Sequence, residues 1–282
     1  MRRTALVWLV LFAAYLATLG MHAFGRAEYA GDEPHYLLAA KSLVDDGDLD
    51  VRDQYAAGAY SEFYPYTLER HGGLRLGRLN EPHGAGFALM IAPAFALGGA
   101  RGVEVFLAAI AALAVALGHR LALRVAPEPW ASGAALAAGL SPPLLAYGTA
   151  VYPELPAAAA LAGAALLALR LDGRPSRRDA FLCFLLLGAL PWLGTKFLPA
   201  AVVVGYLAAR ALWRARRRTL AIGAVEIAAF SVGLWAAVNE GLYGGLTPYT
   251  SEVGGTSVPG RAYRLVALFL DRDWGLLRWA PV

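Results

Sequence analysis

Residues 84–123 read GAGFALMIAPAFALGGARGVEVFLAAIAALAVALGHRLAL, forty residues whose ionisable groups are Arg101, Glu104, His119 and Arg120. That is twice the roughly 20 apolar residues a helix needs to cross a bilayer core. The stretch therefore holds two spans, or one span and a second element. Pro93 interrupts its first part and Gly98-Gly99 ends that part after about 14 residues, too few to cross. Residues 102–123 are long enough. Parity decides the matter. If both parts crossed, Arg120 and Arg124 would emerge outside and every later basic cluster would be inverted against the positive-inside rule. Residues 84–97 are therefore expected to form an interfacial or re-entrant helix, and 102–123 a span.

The rest of the chain follows the same pattern. Of 282 residues, 58% are hydrophobic and 16% charged, with mean hydropathy +0.49, against about one-quarter charged residues in soluble domains. The apolar blocks are of helix-spanning and not strand length, so a polytopic all-α membrane protein is expected. Arg2 and Arg3 precede a long apolar run without a small-residue cleavage site, which reads as a retained first helix with a cytoplasmic N-terminus. Basic clusters at His119/Arg120/Arg124, Arg170/Arg174/Arg177/Arg178 and Arg210/Arg214/Arg216/Arg217/Arg218 mark later cytoplasmic loops. Seven spans are expected, near 4–24, 102–123, 129–148, 152–170, 180–195, 197–213 and 219–239. Residues 1–240 form the membrane module, with an external loop over 25–101 that carries interfacial helices. Residues 241–282 read as an external tail with a short amphipathic helix over 262–271, leading into a C-terminal region beyond the chain.

The charge balance also excludes functions. The net charge of +4 comes from arginines punctuating apolar blocks and forms no aromatic-interleaved surface, so nucleic acid is not an expected partner. Cys183 is the single cysteine, which leaves no intrachain disulfide and no CxxC site. No Walker motif, GxSxG elbow or HExxH pair is present.

Residues 25–85, in contrast, carry 11 acids against 6 bases, and ionisable groups at the membrane boundary are candidates for function. The sharpest group is Gly31-Asp32-Glu33-Pro34-His35-Tyr36, where Asp32 is placed to cap a helix running to about Val44. The same acids would serve as an ordinary helix start. Glu154 in Tyr152-Pro153-Glu154 lies in an outer turn, where helix-start acids are common. Lys196 is one of two lysines, and a solitary lysine at an outer turn is placed for a phosphate or snorkels to the interface. Arg75, Arg78, Asn80, Glu81 and His83 precede the short helix and would bind an anionic headgroup or anchor the loop. His35, His71 and His83 share no helical spacing, so no metal site is expected. Tyr60, Phe63, Tyr64, Tyr66, Trp274 and Trp279 fit an aromatic belt or a sugar-stacking surface.

Asp32-Glu33 in a long first external loop, Asn80-Glu81-Pro82-His83-Gly84 before a proline-broken segment, Tyr152-Pro153-Glu154 and Leu190-Pro191-Trp192-Leu193-Gly194-Thr195-Lys196 together resemble the GT-C fold. These are the polyprenyl-phosphate-sugar-dependent membrane glycosyltransferases related to protein O-mannosyltransferases and bacterial aminoarabinose transferases. The resemblance implies a GT-C-like seven-helix module in the cytoplasmic (inner) membrane with its active site external. It implies inverting transfer from a polyprenyl-phosphate-linked sugar donor to a glycan, lipid or protein acceptor; no cofactor is expected, and the residues neither require nor support a divalent metal. Carried onto this chain, Asp32 is the base and Glu33 its partner, Lys196 with Arg75 and Arg78 holds the donor phosphate, and His83, Tyr152 and Glu154 line the substrate site. Pro82-His83-Gly84 departs from the family's Pro-Pro-Leu-like run. A transporter or flippase of an amphipathic solute, and a non-catalytic assembly subunit, are the alternatives. The halves show no internal repeat of the kind transporters often carry.

Overall fold

The structure, a computed structural model, describes residues 2–248 and 263–272. Its elements are α1 (Arg2–Leu16), α2 (Glu33–Asp45), α3 (Arg52–Ala57), a 3₁₀ turn (Ala59–Glu62), β1 (Leu74–Arg75), β2 (Arg78–Leu79), α4 (Ala85–Ala122), α5 (Trp130–Gly139), α6 (Pro142–Tyr147), α7 (Glu154–Gly173), α8 (Arg177–Leu193), a second 3₁₀ turn (Thr195–Phe197), α9 (Leu198–Arg214), α10 (Arg218–Tyr243) and α11 (Tyr263–Leu270). Four helical segments, Ala85–Ala122, Glu154–Gly173, Thr195–Arg214 and Arg218–Tyr243, are long and apolar enough to cross a membrane. This fits an all-α membrane protein and corrects the expected count of seven. Helix α1 has 15 residues and α8 has 17, and the expected span over 129–148 is broken into α5 with 10 residues and α6 with 6. Two prolines, Pro142 and Pro143, cause that break, because neither offers an N–H to continue the hydrogen bonding of α5.

Helix α4 is not a straight rod of about 57 Å, the length 38 residues would reach at 1.5 Å each. Gly98 and Gly99 are non-helical, and Gly99 has φ +57° and ψ −150°, a conformation open essentially to glycine alone. The two halves fold back there so closely that a Cβ on Gly102 would collide with the carbonyl of Ala94. In a continuous helix those residues would stand about 12 Å apart. Residues 85–97 thus form a separate segment angled against the longer half.

The long helices pack through small residues. Helix α4 lies against α1, α2 and α7, α7 against α8 and α9, and α8 against α10. Ala108, Ala111, Ala112, Ala157, Ala164 and Ala168 are buried in these contacts, where short side chains let backbones approach. Large apolar groups face outward instead on α8, α9 and α10, among them Phe181, Leu185, Val202, Tyr206, Phe230 and Leu234. In water such a belt would be a liability. Around a membrane bundle it is the lipid face.

Charge is sorted between the two ends of the bundle. At one end Arg3 lies 3.7 Å from Glu128, His119 meets Thr4 and Glu128 at 3.1 and 3.0 Å, and Arg124, Arg170, Arg174 and Arg178 line one groove. The acidic loop folds at the other. There α2, α3 and the β1–β2 hairpin enclose a small core of Leu38, Val51, Tyr55, Leu68 and Leu79. Tyr60, Phe63 and Tyr64 pack against that core, which accounts for them without an aromatic belt. Trp274, Trp279 and residues 249–262 of the tail lie outside the described residues.

Candidate functional site

The site begins at the N-terminus of α2. Asp32 occupies the cap position, yet its side chain makes no capping hydrogen bond and its backbone is helical, with φ −82° and ψ −9°. The expected cap is corrected. Glu33 does the joining instead, with Oε2 accepting from the Ala30 amide at 2.8 Å and Oε1 from the Val151 amide at 2.7 Å. Tyr152 completes the clamp by donating its hydroxyl to the Ala30 carbonyl at 3.1 Å. Glu33 is therefore a buried strut between the first loop and the turn before α7. Burial pushes its carboxyl above the usual range against the pull of those two amides, and burial pushes the Tyr152 phenol up to about 12.

Relieved of capping, the Asp32 carboxylate stays 45% exposed, and its Oδ1 stands 3.9 Å from Nε2 of His83. That is too long for a hydrogen bond. The His83 side chain is 7% exposed, and its Nε2 is buried with no hydrogen-bond partner. Burial holds this imidazole below the ordinary histidine range, against the opposing pull of Asp32 and Glu81.

Behind His83 lies a cavity of about 130 Å³, walled by Tyr36, Gly84, Pro153, Trp192, Lys196 and Trp235 among others. Sequence-distant elements build it. Gly86 lets α4 approach so closely that a Cβ there would collide with the Trp192 backbone, and the Trp192 indole is held by donating to Ser231 Oγ at 3.1 Å. Lys196 Nζ is bound to the Glu154 carboxylate and sits 5.4 Å over the Phe197 ring. The structure thus brings Lys196 and His83 to one cavity, with Glu154 bound to Lys196. Arg75 sits elsewhere, on β1 against Gly244 at the end of α10, where its buried Nε has no partner. Arg78 is exposed on β2.

Residues far apart in the chain complete the neighbourhood. His35 and His71 stack with ring centroids 3.8 Å apart. His35 Nδ1 contacts Tyr55 Oη at 2.9 Å and Glu81 Oε1 at 3.2 Å, and the Tyr55 hydroxyl donates to that same Glu81 oxygen at 2.6 Å. Asn80 donates to the Leu242 carbonyl at 3.2 Å, and the Tyr243 hydroxyl to the Glu81 carbonyl at 3.0 Å, so α10 fixes the 80–83 segment. Spacing along the chain did not predict this histidine cluster, because its members come from a helix and two loop segments. Three histidines and Glu81 within one short acidic loop were the available signal.

A second cavity, about 430 Å³, lies on the other side of Glu33, with Met21, Pro142, Leu145 and Ala146 as apolar wall and Glu28 and Glu104 as acids. Arg101 spans both acids, at 2.8 Å from Glu28 and 2.6 Å from Glu104.

Chemically, the first site offers an accessible carboxylate, a buried imidazole and a lysine at the edge of an apolar bundle. Against protein-family models, curated proteins and solved structures, the chain shows no significant match.

Proposed function

We propose that this protein is a GT-C-type membrane glycosyltransferase that moves a sugar from a polyprenyl-phosphate donor to an acceptor hydroxyl, with inversion. The reading rests on the site and not on a helix count. The observation that carries it is the uncapped, 45% exposed Asp32 carboxylate, 3.9 Å from the His83 ring that lines the same cavity as Lys196. Asp32 takes the proton of the acceptor hydroxyl as its oxygen attacks the anomeric carbon. The bond between that carbon and the phosphate oxygen breaks on the opposite face, and the phosphate leaves as an anion that needs no general acid. Lys196 stabilises the charge growing on that anion, releasing Glu154 as it does so. The cavity, about 130 Å³, has room for a phosphate-sized group, and the lipid chain lies along the apolar faces of the bundle. Glu33 holds the loop that presents Asp32, and His83, Tyr152 and Glu154 shape the surroundings.

The test is transfer from a panel of radiolabelled polyprenyl-phosphate sugars to membrane acceptors. Asp32→Asn is expected to lower transfer by at least about 100-fold, within the range for losing a general base. Its stability should change by less than about 0.5 kcal/mol, since the side chain makes no cap bond. Near-normal transfer by Asp32→Asn would remove it as the base. No transfer by folded wild type with a competent donor panel would favour transport or an assembly role.

A further inference from the structure

We propose that Asp32, His71 and His83 bind one divalent transition-metal ion, for which zinc is the best-fitting probe. The metal-binding atoms of these three residues all lie within 4.8 Å of one another. Two ligands of a tetrahedral zinc with bonds near 2.05 Å stand roughly 3.3 Å apart, so Asp32 Oδ1 and His83 Nε2, at 3.9 Å, need to close by only a fraction of an ångström.

Vacant bonding capacity points the same way. His83 Nε2 is buried without a partner, an arrangement that costs free energy unless something accepts its lone pair or its proton. Among the described residues no hydrogen bond engages the His71 ring, and the Asp32 carboxylate is uncapped. A second trio, His35, His71 and Glu81, is equally close, and Glu81 Oε2 is also buried without a partner, but two of its ligand atoms are engaged. His35 Nδ1 and Glu81 Oε1 are tied to each other and to the Tyr55 hydroxyl, and an ion taking either atom would have to break those buried bonds. Those residues serve instead as a supporting layer. The stacked His35 ring packs face to face against His71 and limits how that ring can turn.

Two imidazole nitrogens with one carboxylate oxygen suit zinc or a neighbouring first-row ion and disfavour magnesium and calcium, which prefer oxygen ligands throughout. Three protein ligands leave a coordination position open for water or a substrate oxygen. A carboxylate bound through one oxygen keeps the other for a proton, so the site is compatible with the base role of Asp32 without depending on it.

Zinc titration of the purified full chain in detergent, against a competing chromophoric chelator, tests the assignment. One zinc per chain is expected, with affinity lowered at least about 100-fold in His71→Ala and in His83→Ala, beyond the 10–100-fold typical of outer-shell changes. His22→Ala, an exposed histidine outside the cluster, should bind as wild type does. Absence of zinc binding by wild type, or undiminished binding by a folded His71→Ala/His83→Ala double variant, overturns the proposal. Should the histidine variants fail to fold, Asp32→Ala decides, because among the described residues no hydrogen bond depends on that side chain, and unchanged affinity there also counts against the site. Binding is read without any transfer assay. A protein that binds zinc and transfers no sugar refutes only the glycosyltransferase reading, and one that transfers sugar without binding zinc refutes only the metal site.

Discussion

Adjacent carboxylates in this protein have opposite lives. Asp32 is half-open and unbonded, whereas Glu33 is buried with both oxygens accepting backbone amides. Glu33→Ala is expected to destabilise by roughly 1–3 kcal/mol, because the buried Val151 amide loses its acceptor while the part-buried Ala30 amide loses less. Thermal unfolding in detergent measures this, and a change under about 1 kcal/mol would show that the clamp is dispensable. Lys196 presents a different balance. Its partner Glu154 already neutralises it, so a donor phosphate has to compete for the ammonium group. Lys196→Ala should raise the KM for a polyprenyl-phosphate donor by about 10-fold or more, roughly 1.4 kcal/mol, while the unfolding temperature moves little, since the side chain is 58% exposed. Steady-state kinetics over a donor series would expose an unchanged KM. The acidic pair and the solitary lysine were visible in the sequence. Which acid was structural was not, because that depends on Val151, 118 residues away.

Among the elements, α4 carries the sharpest local constraint. Gly98 and Gly99 are neighbours with different demands. Gly98 has φ −153° and open space around its Cβ position, whereas Gly99 has φ +57°. Gly99→Ala is expected to cost about 1–3 kcal/mol for backbone strain, and Gly98→Ala to be nearly neutral. Equal unfolding temperatures for the two variants would contradict the fold-back at this point. Pro93 and the glycine pair announced a break in the apolar stretch, and the structure places the break at those glycines. Helix α2 was similarly legible, from Pro34 at its first turn to its end at Asp45, and α11 falls inside the expected 262–271. The spans were less so. Hydrophobic length alone did not show that Pro142 and Pro143 divide one apolar block into α5 and α6, or that α1 ends at Leu16, well before the expected residue 24.

For the whole molecule, the clustering of Arg124, Arg170, Arg174 and Arg178 at one end and the net-acidic loop at the other makes a prediction about sidedness. Cys183 is buried, so single cysteines can be introduced without removing it. Leu74→Cys lies on the loop hairpin and Val125→Cys at the arginine end, and both native residues are exposed. A membrane-impermeant maleimide should label Leu74→Cys in intact cells with a permeable outer envelope, and Val125→Cys only after the membrane is opened. Labelling of both from one side would refute the orientation. By itself, the sequence determined the helical membrane character, the acidic first loop, the broken apolar stretch and the acids and lysine worth testing. These follow from composition and local periodicity, which act over a few turns of chain. Only the tertiary structure decided that Glu33 is a strut, that Arg75 packs against Gly244, and that His71 and His83 converge on Asp32. Those outcomes depend on which distant backbones small residues such as Gly86 allow to meet, and on which buried polar groups then find partners.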